Sequence, residues 1–570
     1  MHLIPVWRPK MQAKTENRLP LQLFPKNLII QTSKWFQMET LMPWEDIETI
    51  LADLFADTGR NSIPARWIIG ALIIQADKNL SDRETLEVIK ETPMLQYFLG
   101  LDDYLTEELF DFSLLCKYRQ RIGIDIAKEM IEILLTHHKV IGRTPKEGVT
   151  HEGSLSIDAT AIPVNITYPT DLKLLNQVRE ATEKIIDECH EQAKEDPKPR
   201  TYREEARTSY LKYAKAKKLS TNNRRTSLRK QLQYIKRNLE TIDSRVQRGF
   251  YTLNENQTTI LMTCREIFNQ QTTMWESKTN RIDDRIVSLY QPHIRCIVRG
   301  KAGAPYEFGP KVALSKVNGF VHIDEISFDN FNEGQTLPSI IERYKELHGV
   351  YPISVRADKI YQTRDNKKYC TGLGIRLSGK QLGRPKNEPD PASEELQKED
   401  FVKRLEIEGV IGVLKTRYGL DTLMTRLPES QKASIGLVFF AMNLHQVLSF
   451  TPYSNSLEML VLSLEHNQIV HVMRNISSHV RVKDRAEILG DFKQVHSQKT
   501  KEAAQEILDD FARRWKSIYP KVVESVQGNS FLLTFYSYPE AIRCSIYSTN
   551  LIENFNKHLK RDLKAKIQFW

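Results

Sequence analysis

Cysteine is scarce in this chain: Cys116, Cys189, Cys264, Cys296, Cys370 and Cys544 are all there is, dozens of positions apart and with no CxxC pair. That spacing excludes a disulfide framework or a cysteine zinc site as the organising device, and the six read as reduced thiols. Long apolar runs are lacking too. The longest strongly apolar stretch, from Ile435 to Leu448, is interrupted by Asn443 and His445 and falls short of the ~18 residues that a membrane span needs. No bilayer crossing is expected. The N-terminal MHLIPVWRPKMQAK is basic but has no apolar segment behind it, which argues against a signal peptide and for a cytoplasmic chain. Gly and Pro stand at 24 each, with 40% hydrophobic and 27% charged residues, the composition of an ordinary globular protein. At 570 residues the length predicts roughly three or four domains.

The net charge is a modest +10, but it is concentrated. Residues 201–250 hold fourteen Lys and Arg, among them Lys217, Lys218, Arg224, Arg225, Arg229 and Lys230, against four Asp and Glu, an excess equal to that of the whole chain. Tyr202, Tyr210, Tyr213 and Tyr234 are interleaved. Such a stripe suits contact with a nucleic-acid backbone through counterion release; the bland alternative is a solvated helix surface.

From Pro43 to Leu135 apolar residues recur at helical spacing, as in IPARWIIGALIIQ, and Ser81 with Glu84 makes a capping box. This reads as an all-helical N-terminal domain over 1–141. After a polar stretch from Gly142 to Gly153 the pattern turns to short β-type runs beginning with SLSIDATAI, and Thr170 or Asp171 is placed to cap a helix. Charged helical sequence then runs to about Ser277, before β-type runs resume at RIVSL, IRCIVRG, KVALSKV and FVHIDEI. The basic helices therefore look like an insertion, at about 175–280, in an α/β domain spanning 142–450. A helix, LPSIIERYKELHG, a strand, ISVRAD, a Gly/Pro-rich loop and a helix through Phe401 to Tyr418 complete it.

Asp158 is expected to close one apolar strand, Asp358 a second, and Glu408 to sit on the helix after the Gly/Pro-rich loop. An acid at a strand end is more often a cap than a catalyst. Three carboxylates drawn together from two strands and a helix would hold two divalent cations roughly 4 Å apart, the arrangement of in-line phosphoryl transfer, with oxygen ligands that suit Mg²⁺. Phe401, Arg404, Glu408 and Lys415 recur at intervals of three, four and seven on one helical face. That face is read either as a metal-binding Glu flanked by Arg404 and Lys415 for a DNA phosphate, or as an exposed salt-bridged helix. Arg66, Lys117, Arg119 and Arg121 fit either a helix-turn-helix-like DNA contact or plain helical packing.

Together SIDATAIPVNITYPTDLKLLN, DRIVSLYQPHIRCIVRGKAGAPYEFGPKVALS, GFVHIDEISFDNFNEGQTL, YPISVRADKIYQTRDNKKYC, GIRLSGKQLGRP and IEGVIGVLKTRYGLDTLMTRL resemble the DDE transposases of bacterial insertion sequences, in the IS-five-like group, over about Leu19 to Phe450. The resemblance implies a ribonuclease-H-like α/β catalytic domain, with Asp158, Asp358 and Glu408 as its catalytic, metal-binding carboxylates and Arg404 and Lys415 at its basic DNA-binding positions. It also implies Mg²⁺, for which Mn²⁺ substitutes, and double-stranded DNA as partner, both the terminal inverted repeats of an element and the target. A homo-oligomer on that DNA, in a prokaryotic cytoplasm, follows in the same way. Phe401 stands where the related signature often has Tyr, and Cys296 where Pro is expected.

From about Ile469 the resemblance changes. IVHVMRNISSHVRVKDRAEILGDFKQVH, EAAQEILDDFARRWKSIYP and YPEAIRCSIYSTNLIENFNKHLKRDLKAK resemble the C-terminal part of Mutator-type insertion-sequence transposases. In that family the Glu of the STNLIEN-like segment is the third catalytic acid, here Glu553, yet its two aspartate partners have no counterpart upstream. The expected organisation is a nearly complete transposase joined through 451–468 to a mostly α fragment, 469–570, of another. Such a fragment, parted from its sheet, is expected to leave apolar residues partly exposed. The chain is thus expected to be an active DDE transposase or a DNA-binding relic impaired by its tail.

Overall fold

The structure, a computed structural model, describes residues 33–54, 63–101, 104–192, 197–216, 220–298, 306–378, 391–450, 473, 476–481, 483–496, 498 and 500–527. The chain divides into two compact units, Met1–Phe450 and Thr451–Trp570.

The first unit begins with helices α1 (Lys34–Leu41), α2 (Trp44–Leu51), α3 (Ala65–Lys78), α4 (Asp82–Glu91), α5 (Pro93–Phe98) and α6 (Ser113–His137). The Ser81–Glu84 capping box starts α4: the Ser81 hydroxyl accepts from the Glu84 amide at 3.3 Å and the Glu84 carboxylate accepts from the Ser81 amide at 2.9 Å. Helix α14 (Pro428–Phe450) arrives from the far end of the unit and packs along α6, α3 and strand β5. Among the described residues it is the one helix long and apolar enough to cross a membrane, and Ile435, Leu437, Phe439, Phe440 and Leu444 are buried by protein. Gly436 permits the close approach, since a Cβ there would lie 2.4 Å from that of Ala127 on α6. Asn443, which breaks the apolar run, uses both ends of its amide on the Val321 backbone, at 2.9 and 2.7 Å, and so covers the edge of the sheet. The N-terminal helices, α14, β4 and β5 share one apolar core.

The sheet contains β1 (Ser154–Ala161), β4 (Lys311–Val317), β5 (Phe320–Ser327), β6 (Ser354–Arg356) and β7 (Arg376–Leu377) in the order β5-β4-β1-β6-β7; β2 (Cys296–Val298) and β3 (Tyr306–Phe308) form a separate ribbon. Pairing is antiparallel from β5 through β4 to β1, and parallel from β1 through β6 to β7. Asn318 and Gly319, both with positive φ (50° and 91°), make the tight turn between β4 and β5, as an Asn-Gly hairpin should. Helices α11 (Glu333–His348) and α12 (Arg364–Gly372) provide the crossovers, and α13 (Pro391–Thr416) packs on β1 and β6. Two expectations are corrected. Residues 285–289 form no strand, because Ile286 and Leu289 bury among the inserted helices. Asp158 does not close β1; it lies inside the strand, which runs on to Ala161.

The inserted helices are α7 (Asp171–Gln192), α8 (Arg203–Ala214), α9 (Thr221–Gln247) and α10 (Glu255–Glu276). Leu175, Val178 and Ile186 of α7, Ile235 and Ile242 of α9 and Cys264 and Ile267 of α10 build a separate core. The Thr170 hydroxyl caps α7, accepting from the Lys173 amide at 3.3 Å.

In the second unit, α15 (Arg485–His496), α16 (Lys501–Trp515) and α17 (Pro520–Gln527) surround a small core of their own. The expectation of exposed apolar residues is corrected for these helices. Ala504, Leu508, Phe511, Ala512 and Trp515 fall on one stripe of α16 and are buried with Phe492 and Val523. The Phe492 and Phe511 ring centroids are 5.6 Å apart. Glu553 and the 451–468 junction lie outside the described residues.

Candidate active site

The parallel register Ser154↔Ser354, Leu155↔Val355, Ser156↔Arg356 carries a constant offset. Asp158 follows the last pair by two residues inside β1, on the face of Ser156, and Asp358 follows it by two residues past the end of β6. Asp158 is half-buried; Asp358 is exposed, beyond the last residue of β6. It caps a short 3₁₀ turn, Lys359–Tyr361, its carboxylate accepting from the Lys359 amide at 2.7 Å. The helix bearing Glu408 packs on the same two strands, and its buried Ile407, Val410 and Leu414 join the core shared with the N-terminal helices and α14.

Electrostatics mark Asp158 out. Burial pushes its carboxyl up to about 6; an amide hydrogen bond from Ala159 opposes this, while repulsion from Glu333, Asp358 and Glu408 adds to it. Glu333 is a fourth carboxylate that the sequence reading missed. Its one local sign is an acid in the first turn of a helix, behind the cap Asn332. Lys311 holds it at 2.9 Å and also donates to the Phe331 carbonyl at 2.8 Å. Tyr361 is fully buried nearby, its hydroxyl pushed up by burial and by Glu333 and Asp158.

The donors are all carboxylate oxygens, the four acids facing two cations, Lys311 on Glu333 and Arg404 on Glu408, and such a donor set suits a hard divalent cation. Among the described residues no three His, Cys, Asp or Glu side chains converge closely enough to hold an ion. Glu408 is instead paired with Arg404, one turn away, at 2.8 Å, and Arg404 also lies over the Phe401 ring at 5.6 Å. Lys415 is half-buried in the last turn of α13.

The basic positions divide into two kinds. Arg224 pairs with Asp171 at 3.0 Å, closing the base of the insertion. Arg225 donates to the Trp275 carbonyl at 3.0 Å and stacks over its ring at 5.1 Å. Arg225 is engaged in helix packing, whereas Arg224, though paired, remains exposed on α9. Arg229 and Lys230 are exposed on α9, with Lys236 and Arg237 two turns on. Lys217 and Lys218 lie outside the described residues. Arg66 and Arg119 are also structural: each is about 95% buried, Arg66 with Glu39 at 2.7 Å and Arg119 with Asp82 at 2.7 Å.

Comparison with known families accounts for three stretches of the chain. Residues 24–121 match the model described as Transposase domain (DUF772), 355–445 the Transposase DDE domain, and 460–570 Transposase, Mutator family. The DDE match contains Asp358 and Glu408; Asp158 and the inserted helices lie between matches. A DDE domain implies a ribonuclease-H-like fold, and the structure is helical with a mixed sheet. Among curated proteins, the transposase for insertion sequence element IS1201 of Lactobacillus helveticus is 48% identical over 102 residues, covering 18% of this chain and 28% of the relative. That for IS905 of Lactococcus lactis subsp. lactis is 44% identical over 108 residues, 19% and 28% of the two chains. The transposase for ISRM3 of Rhizobium meliloti is 30% identical over 103 residues, 18% and 26%. The chain thus spans under a third of the length of these relatives, and it carries transposase sequence of both DDE and Mutator type.

Proposed function

We propose that this chain is a DNA transposase that cleaves insertion-sequence ends and transfers the cut strand to target DNA, with Asp158, Asp358 and Glu408 as its catalytic acids. What supports this reading is the parallel pairing of β1 with β6, after which Asp358 follows two residues beyond the last pair, the packing of the Glu408 helix on both strands, and the repulsion that Asp158 feels from Asp358 and Glu408. The sheet order, with β1 central between an antiparallel hairpin and two parallel strands, supports a ribonuclease-H-like domain over 142–450 interrupted by the basic helices. Asp158, Asp358 and Glu408 would hold Mg²⁺, or Mn²⁺ in its place; when bound, the metal supplies an activated oxygen nucleophile and neutralises charge on the phosphate.

The protein's own part is positioning. Asp158 offers its carboxylate from within β1 and Asp358 from the turn that follows β6. Glu408 joins them by releasing Arg404, and the freed guanidinium, with Lys415, then holds a phosphate oxygen of the cut strand. Arg229, Lys230 and Lys236 of α9 follow the duplex backbone. Terminal inverted repeats and target DNA are the partners, and two ends are brought together by self-association of a DNA-bound, cytoplasmic protein. No catalytic part falls to Glu553.

The test is Mg²⁺- or Mn²⁺-dependent nicking of labelled DNA bearing the element's terminal repeats. The full chain is compared with Asp158→Ala, Glu408→Ala, Glu553→Ala and a chain ending at Phe450. Loss of cleavage in the first two variants alone is expected; cleavage that survives them removes the acids from the reaction.

A further inference from the structure

Arg356, the last residue of β6, touches all three segments that carry the acids. It lies two residues before Asp358. Its Nη1 donates to the hydroxyl of Ser154 on β1 at 2.9 Å, four residues before Asp158 and on the same face. Its Nε donates to Oδ1 of Asp400 on α13 at 3.0 Å. Asp400 precedes Glu408 by eight residues, about 12 Å along the helix axis. Arg376 of β7 completes the fork on Asp400, donating to Oδ1 at 3.1 Å and to Oδ2. The Asp400 side chain is 5% exposed and that of Arg356 12%.

A buried carboxylate forked by two guanidiniums is a stiff joint, because each planar donor set fixes angle as well as distance. Here β1, β6, β7 and α13 are joined on one side of the sheet, while the acids sit further along the same strands and helix. Asp400 shows the effect of this company: burial works to raise its carboxyl, yet the hydrogen bonds from Arg376 and Arg356 hold it below the usual range.

We propose that Arg356 is a positioning residue: a single guanidinium, bonded to Ser154 and Asp400, sets the spacing of Asp158, Asp358 and Glu408 and hence their affinity for a divalent cation. This rests on the assignment of the three acids above. Arg356→Lys keeps the charge but replaces the fork by a point-like ammonium that cannot span both partners.

The experiment measures Mn²⁺ binding to the full chain without DNA, by the electron-spin-resonance signal of the free ion, together with thermal melting and the Mn²⁺ dependence of nicking. Arg356→Lys is expected to melt within a few degrees of the unmodified protein. It should bind Mn²⁺ about tenfold more weakly, the usual scale for loss of a group that orients metal ligands, and need correspondingly more Mn²⁺ for half-maximal cleavage, with the maximal rate largely restored at saturation. Ser154→Ala, which removes only the β1 contact, should shift both in the same direction by less, and supplies the answer if Arg356→Lys fails to fold. Asp158→Ala separates the two ideas. If it leaves Mn²⁺ binding unchanged, the acid assignment falls; if binding depends on Asp158 but neither Arg356→Lys nor Ser154→Ala changes Mn²⁺ affinity, the positioning role is overturned.

Discussion

Asp77 and Asp158 are two aspartates set into the same unit, and their surroundings drive their carboxyls in opposite directions. Asp77, on α3, is almost completely buried, receives Lys34 of α1 at 2.7 Å, and is also paired with His445 of α14. Burial alone would raise its carboxyl; the hydrogen bonds from His445 and Lys34 overcome that and hold it down to about 2. Asp158 has burial without a cation and three other carboxylates in range, and is pushed up to about 6. The first arrangement is complete in the folded chain, tying three helices together. The second leaves a carboxyl raised by burial and like charge, the kind of perturbation that gathers at functional sites.

The comparison breaks most severely at Asp77. Asp77→Ala strands Lys34 and His445 beside a cavity and should lower the unfolding free energy by about 3 kcal/mol, read from denaturant titration. Because the native carboxyl titrates at about 2 and the unfolded one near 3.8, the native state binds fewer protons between those values. The stabilisation is complete above about pH 4 and lost as pH falls towards 2, so the gap between the unmodified protein and Asp77→Asn should close over that window.

Asp158→Asn should act with the opposite sign. Its native carboxyl titrates above the unfolded one, so ionisation opposes folding as pH rises from about 4 through 6. Removing the charge should stabilise the metal-free protein by roughly 1–3 kcal/mol at pH 7, seen as a higher melting temperature in chelator, with no gain at pH 3. A lower melting temperature at pH 7 would refute the repulsion.

The smallest effect sharpens the same contrast on α9. Replacing Arg229 and Lys230 together by Ala should flatten the salt dependence of DNA binding by nearly two units of log–log slope while leaving melting unchanged. Arg225→Ala, which loses its Trp275 contact, should lower the melting temperature with a smaller effect on that slope.

Local pattern made some of this legible. The alternation in SLSIDATAI signals β1, and Ser81 with Glu84 signals the start of α4, because strand faces and helix caps are written within a few residues. The partners of Asp158 are not, since Glu333 and Asp358 reach it through crossovers of well over a hundred residues, and no local periodicity distinguishes a strand's middle from its end. The basic residues show the same limit. In sequence Arg66, Arg119 and Arg225 fit a DNA contact as well as packing, and what decides is an acid or a ring contributed by a remote helix.

The second unit's helices hide Phe492, Phe511 and Trp515 among themselves. Exposed apolar sequence attracts chaperones and proteases, which draw on the open state. Helices with a core of their own give that surveillance little to seize, because cleavage among them must wait for the core to open.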